Sequence, residues 1–239
     1  MPAMTVAAAE TGLISIIVPA LNEAGGIKQM LQDLQAMRHR GHEIIVVDGG
    51  SSDNTAELCA PLADRVLTTA AGRARQMQAG AALARGSVLW FLHADTRAPQ
   101  EADRAIHAAL RGGDHHWGRF NVRFSEPGVL LGVVATLMNL RSRLTRIATG
   151  DQGIFVTREL FERVGGFPQM PLMEDIAFSR RLRSRSRPVC LRECLITSAR
   201  RWRHHGAVRT IILMWSLRLA YFLGVSPMRL ARHYPPNRP

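Results

Sequence analysis

Lysine is nearly absent from this sequence: Lys28 is the only one among 31 Lys+Arg residues, which stand against 19 Asp+Glu. The net charge of +12 therefore rests on arginine, whose planar fork suits phosphate oxygens. Such a balance favours anionic partners: phosphates, nucleic acid or an acidic membrane surface. A genome biased toward arginine codons gives the same excess with no partner at all. Cysteine is scarce as well. Cys59, Cys190 and Cys194 form no CxxC pair, which argues against a zinc site and predicts free thiols in a reducing compartment. The N-terminus lacks a basic stretch followed by an apolar core, so no signal peptide is expected. No apolar run reaches the ~20 residues that span a bilayer. Residues 129–140 fall well short, and 211–225 are interrupted by Arg218. GxGxxG is absent from the first strand-to-helix turn, which disfavours a hydride-transfer cofactor. No nucleic-acid-binding motif is present, so no specific nucleic-acid partner is expected.

What the chain does contain is enough apolar material for one substantial core: 46% hydrophobic residues in a length of 239. The first half alternates two kinds of segment. Continuous apolar runs at 14–19 (ISIIVP), 43–47 (EIIVV) and 87–92 (SVLWFL) suit strands buried on both faces, and 65–69 suits a short strand. Between them Ile27, Met30, Leu31, Leu34 and Met37 recur at helical spacing, and 55–63 and 73–84 read as further helices. This order predicts an α/β fold, a Rossmann-like open and mostly parallel sheet with helices on both faces. The second half predicts strands at 117–124, 154–157 and 189–196, and helices at 129–147, 158–164, 174–187 and 207–224. Three units are expected: a flexible N-terminus (1–12), a globular domain (13–205), and an amphipathic helix and tail (206–239) packed on or near it.

Ligands of open parallel sheets sit beyond the carboxyl ends of the strands. Those ends carry the acids. Asp48 to Asp53 (DGGSSD) closes the second strand: its glycines allow close backbone approach, Asp53 suits a helix cap, and Asp48 suits a base or ribose. His93-Ala94-Asp95 closes the next apolar run, where Asp95 offers the hard oxygen ligand that Mg2+ or Mn2+ prefers and His93 suits manganese or the nucleotide. Glu174-Asp175 opens a helix, where acids are favoured by the macrodipole alone and where a carboxylate can also serve as general base. Residues 200–205 (RRWRHH) form a dense cationic patch around an aromatic.

Taken together, ISIIVPALNE, EIIVVDGGSSDNT, GRARQMQAGAALARGSVLWFLHADT, GDQGIFVTRELFERVGGFP and MEDIAFSRRL resemble, in order and spacing along residues 14–182, the family-2 glycosyltransferases. The resemblance implies a GT-A fold, a nucleoside-diphosphate sugar donor and an inverting single displacement by an acceptor hydroxyl. It places Pro19, Glu23 and Asp48 at the nucleoside, Arg73 or Arg75 at the diphosphate, and Asp95 on the metal. Asp175 becomes the base, with Glu174 in support. There are departures. His93 replaces the first acid of the family's DxD motif, Gln78 stands where Asn is frequent, and Ser198 replaces Gln in a QxxRW-like run that keeps Arg201 and Trp202 for the diphosphate or the acceptor. The HADT variant resembles a compact bacterial subgroup. A sugar nucleotidyltransferase would carry a basic, Gly-rich first turn instead of Ala20-Leu21-Asn22-Glu23. A degenerate binding module on anionic membrane or nucleic acid is the other alternative. The expected setting is cytoplasmic, with Arg209, Arg218, Arg229 and Arg232 of the last helices able to meet lipid phosphates on the inner membrane face, and with an acceptor that carries a hydroxyl, a lipid-linked one among the candidates.

Overall fold

The computed structural model describes residues 12–234, apart from the side chains of Arg201, His204, His205 and Ala207. The N-terminal stretch expected to be flexible, save its last residue, and the tail beyond Tyr234 lie outside the described residues. From Ile14 the chain alternates as its periodicity requires: β1 (Ile14–Ala20), α1 (Ile27–His39), β2 (Glu43–Asp48), α2 (Thr55–Cys59), β3 (Arg65–Thr68), α3 (Arg73–Leu83), β4 (Val88–Phe91). Every residue of β1, β2 and β4 is buried, because helices cover both faces of this part of the sheet. β1 pairs in parallel with β2 and β4, and β2 with β3.

Successive β1 residues feed opposite layers. Ile14, Ile16 and Val18 pack with Leu31, Leu34 and Met37 of α1, whereas Ile17 packs with Ala74, Met77 and Ala81 of α3 and with Phe161 and Phe178. A Cβ on Gly80 would lie 2.5 Å from Ile17 Cγ2 and 3.1 Å from Val47 Cγ2, so α3 rests on the sheet at a distance only glycine allows. Pro19 sits inside a central strand without cost. The carbonyl of Ile17 accepts from Leu92 N–H on the β4 side. Pro19 faces that same side two residues later, beyond the last β1–β4 pair, Ile17 with Phe91.

The remaining elements are β5 (Thr96–Arg97), α4 (Ala102–Leu110), β6 (Trp117–Phe124), α5 (Val129–Thr145), a 3-10 turn (Gly150–Gln152), β7 (Phe155–Thr157), α6 (Arg158–Arg163), α7 (Glu174–Arg183), β8 (Val189–Thr197), α8 (Arg200–His205), α9 (Ala207–Phe222) and α10 (Pro227–Arg232). The sheet runs β3-β2-β1-β4-β7-β6-β8-β5. Its second half is mixed: β7 is antiparallel to β4 and β6, β5 is antiparallel to β8, and β6 is parallel to β8. A third apolar cluster joins Ile147, Met173 and Ile176 to Leu217 of α9 and Leu230 of α10. Only one face of these helices is used. Leu130, Val133, Leu137, Leu140 and Leu144 form an exposed stripe along α5, and Val208, Ile212, Trp215, Leu219 and Phe222 form another along α9, each at alternating three- and four-residue spacing. No described helix is long and apolar enough to cross a membrane.

Candidate active site

The carboxyl ends of β1 and β2 are tied into one unit. Gln76, buried on α3, donates from Nε2 to both Ala20 O and Val47 O at 2.8 Å, so a side-chain amide bridges the two strand ends. Asp48 is buried at the end of β2 and accepts from Gly50 N at 3.0 Å and Ser51 N at 2.9 Å, and Ser51 Oγ donates to its other oxygen. Ser51 Oγ also accepts from Asn22 N at 2.8 Å, and Asn22 Oδ1 accepts from Ser52 N at 2.8 Å, which locks the two loops together. Asn22 takes a left-handed φ of 53°, a conformation Asn tolerates better than most residues. Asp53 accepts from Thr55 N at 3.1 Å just ahead of α2, whose N-cap position is Asn54 with no side-chain cap bond.

The second group of acids lies around Arg73. Desolvation opposes the charge of its guanidinium, yet Glu174, Asp151, Asp95 and Asp175 outweigh that burden and raise its pKa. Arg73 holds an exposed position at the start of α3, within the field of these carboxylates. Asp95 is partly exposed, and its carboxylate meets only Thr96 Oγ1, at 3.4 Å, among the described residues. Its backbone is fixed: Asp95 O accepts from Ser198 N at 3.1 Å, and Thr96 pairs with Thr197, so β8 sets the position of the acid that precedes β5.

Glu174 and Asp175 begin α7, behind Met173 at a left-handed φ of 68°. A non-glycine residue there carries strain, which the burial of Met173 in the third apolar cluster holds in place. Asp175 is anchored at both oxygens, Oδ2 by Gly150 N at 2.9 Å and Oδ1 by Ile176 N at 2.7 Å. Each oxygen keeps a further lone pair for a ligand. Burial, and then the neighbouring Asp175, pushes the Glu174 carboxyl above its ordinary range, against the pull of Arg73 and His93. His93 is buried, with Nδ1 3.2 Å from Asp151 Oδ1, and its ring lies so close to Gly150 that a Cβ there would stand 2.3 Å from Nε2.

The structure thus places Glu23, Arg73, His93, Asp95, Glu174 and Asp175 within electrostatic reach of one another, with Asp48 and Pro19 at the adjoining strand ends. Arg75 is turned to its own helix start, donating to Ala71 O at 3.5 Å. Trp202 packs edge-on against Phe124, ring centroids 5.2 Å apart. The side chain of Arg201 lies outside the described residues. Its neighbour Arg200, singled out in the sequence only as part of the basic patch, pairs with Glu23 at 2.5 Å. Burial nonetheless raises the Glu23 carboxyl, with Arg200 opposing it. Asp151 was visible in the sequence only within the GDQG run.

Among the described residues no three His, Cys, Asp or Glu side chains form a ready-made metal cage. The donor set still fits a hard divalent cation, since Mg2+ and Mn2+ sites of this class use one or two carboxylates and complete their shell with substrate phosphates and water. Asp95, with its lightly engaged oxygens, is the residue that fits.

Comparison with known proteins bears on this site. The family described as Glycosyl transferase family 2 matches residues 15–155. Over 114 residues the chain is 34% identical to an uncharacterized glycosyltransferase of Mycobacterium tuberculosis, a match covering 44% of each protein. Over 114 residues it is 31% identical to the undecaprenyl-phosphate 4-deoxy-4-formamido-L-arabinose transferase of Pseudomonas aeruginosa, covering 43% of this chain and 34% of that one. The matched region therefore spans less than half the length of these curated relatives. Among solved structures, the mannosyltransferase PcManGT from Pyrobaculum calidifontis, in complex with GDP-Man and Mn2+, superposes with a TM-score of 0.66 at 20% identity, covering 94% of this chain and 65% of that one. Residues 1–349 of S. aureus TarS, in complex with UDP-GlcNAc, give 0.62 at 17% identity, covering 78% and 58%. These likenesses speak for the fold, which is the GT-A fold expected from the sequence.

Proposed function

The chain belongs to glycosyl transferase family 2, and from that premise we propose that it moves a sugar from a nucleoside-diphosphate sugar to an acceptor hydroxyl with inversion. The observation that carries this reading is that Asp95, Glu174 and Asp175 all act on Arg73 at the carboxyl edge of the sheet. Pro19, Glu23 and Asp48 receive the nucleoside, and Arg73 faces the diphosphate. The resemblance of the sequence further assigns Arg75, His93, Arg201 and Trp202 to binding the nucleotide sugar. Asp95 would hold a divalent cation, which when bound would supply charge neutralisation for the diphosphate. Asp175 takes the proton of the acceptor hydroxyl as its oxygen bonds to the anomeric carbon and the bond from that carbon to the diphosphate breaks. The two N–H groups on Asp175 hold it in place for that transfer, and Glu174 supports it.

The stripes on α5 and α9 support a further part of the reading, contact with an anionic membrane surface on its cytoplasmic face. Neither Asp nor Glu occurs between Glu126 and Asp151 or after Glu193, so the charged residues of α5 and α9 themselves are all arginine. A lipid-linked acceptor fits that placement, and the Pseudomonas relative is named for undecaprenyl phosphate.

Thermal melting against UDP-, GDP- and dTDP-sugars, each with and without Mn2+, tests the donor assignment. A ligand that binds only the folded chain raises the melting temperature by mass action. One nucleotide should give a Mn2+-dependent rise that Asp95→Ala abolishes. No rise with any of them refutes the assignment.

A further inference from the structure

Three arginines share one electrostatic neighbourhood with Asp175 of α7: Arg119 of β6, Arg141 of α5 and Arg218 of α9. Nε of each, and Nη2 of Arg141, are closed off from solvent without a hydrogen-bond partner. Among the described residues none of the three forms a salt bridge. Arg119 has a structural use for its remaining nitrogens: Nη1 donates to Asn121 Oδ1 at 2.6 Å and Phe120 O at 3.0 Å, and Nη2 to Asn139 O at 3.0 Å. Arg141 has one weak bond, to Ile147 O at 3.4 Å. Burial, and then the charge of Arg218, pushes Arg141 down to about 10, and Asp175 is the carboxylate that pulls the other way. Asp175 is held by two backbone N–H groups and forms no salt bridge with any of the three, so its single charge offsets them only in part.

Buried donors without acceptors are costly, and buried like charges more so. Chains that break such rules do so chiefly at functional sites. The missing element is an anion with several acceptor oxygens and more than one charge, and a phosphate monoester presents both to a pair of guanidinium forks. The surroundings say which molecule carries it. Asp175 lies in the field of Arg73, among the donor-side acids, and also in that of Arg141. Ile147, Met173, Ile176, Leu217 and Leu230 line the neighbouring apolar cluster, and α5 and α9, which carry the two arginines, also carry the exposed apolar stripes.

We propose that Arg141 and Arg218 form a seat for a phosphomonoester group on the acceptor, beside Asp175. The proposal rests on the glycosyl-transfer reading and adds the acceptor's chemical class. The seat opens by rotation of the two side chains or a shift of α9, which contributes little beyond Leu213, Leu217, Ala220 and Tyr221 to the third cluster.

Calorimetric titration with glycerol 3-phosphate and with decyl phosphate, decanol serving as the uncharged control, tests it. Wild type should bind a phosphomonoester, and Arg141→Met and Arg218→Met should each weaken that binding roughly tenfold or more. Binding of decyl phosphate alone assigns the group to a lipid, and comparable binding of both esters to a soluble phosphate compound. Binding of neither ester, equal binding of decanol, or unchanged affinity in both variants overturns the proposal. Methionine keeps the volume and removes an uncompensated charge, so the variants should melt no lower than wild type. If Arg141→Met fails to fold, Arg218→Met on the half-exposed α9 carries the test. Nucleotide-sugar binding with Mn2+ is measured on the same samples. It should be unchanged in the variants, and its absence from wild type counts against the transferase reading while the phosphate titration still decides the seat.

Discussion

Asp175 is held by Gly150 N–H and Ile176 N–H, and this makes its role separable from binding. Asp175→Asn keeps the size and one acceptor oxygen, so donor binding should persist while turnover falls by roughly a hundredfold or more, the scale of general-base catalysis. Single-turnover rates alongside donor titrations check this, and a wild-type rate in the variant removes Asp175 from the role. Glu174 predicts a pH effect on stability. Its carboxyl is raised from an ordinary 4.5, with burial the leading cause, so the folded chain holds that proton to higher pH than the unfolded one. The contribution to stability is full below the unfolded pKa and is lost as pH rises through the folded value. Glu174→Gln does not titrate, so its melting temperature relative to wild type should climb from acidic toward neutral pH. A constant difference contradicts the raised carboxyl. The acids at strand ends were legible in the sequence because each follows an apolar run. The pairing of Arg200 with Glu23 was not, because 177 residues separate them and only the closing of the sheet makes them neighbours.

At the scale of elements, legibility follows the length of the pattern. β1, β2, β4 and the helices between them announce themselves through uninterrupted apolar runs or helical spacing. β5 has only two residues and exists because β8 pairs with it, so no local signal was available. α8 and α10, six residues each, are too short to show a period. α4 did carry one, in Ala102, Ile106 and the residues before Arg111, and it was passed over. Partner choice in the mixed half of the sheet is likewise non-local. Glycine shows how context sets the sign of one substitution. Gly132 in α5 has nothing within 4 Å of an added Cβ, so Gly132→Ala should stabilise by about 0.5–1 kcal/mol. Gly80 in α3 would drive the same methyl to 2.5 Å from Ile17, so Gly80→Ala should cost about 1–3 kcal/mol. Urea unfolding of the pair measures both, and equal shifts would contradict the close approach of α3.

At the scale of the whole molecule, charge and apolar exposure coincide. The stripes of α5 and α9 lie in stretches without carboxylates, and Trp215 is 64% exposed on one of them. Trp215→Glu and Leu137→Glu should each reduce co-sedimentation with vesicles containing phosphatidylglycerol roughly tenfold or more, leaving nucleotide binding intact. Wild-type binding should also weaken with salt. A wild-type chain that ignores such vesicles and self-associates through these stripes refutes the membrane reading.

The position of β8 has a consequence for how the protein is made. This last strand lies between β6 and β5, both synthesised long before it. The parallel strands around β1 have all their partners within the first half of the chain except where β7 joins β4, so that half can settle while translation continues. β6 and β5 must wait with unpaired edges until Thr197 clears the ribosome, on the order of ten seconds after β4 at roughly 5–20 residues per second. Exposed edges of that kind recruit other strands. A nascent chain stalled before Val189 therefore holds a nearly finished N-terminal half beside an open, adhesive edge, which makes this interval the one in which a chaperone has most to protect.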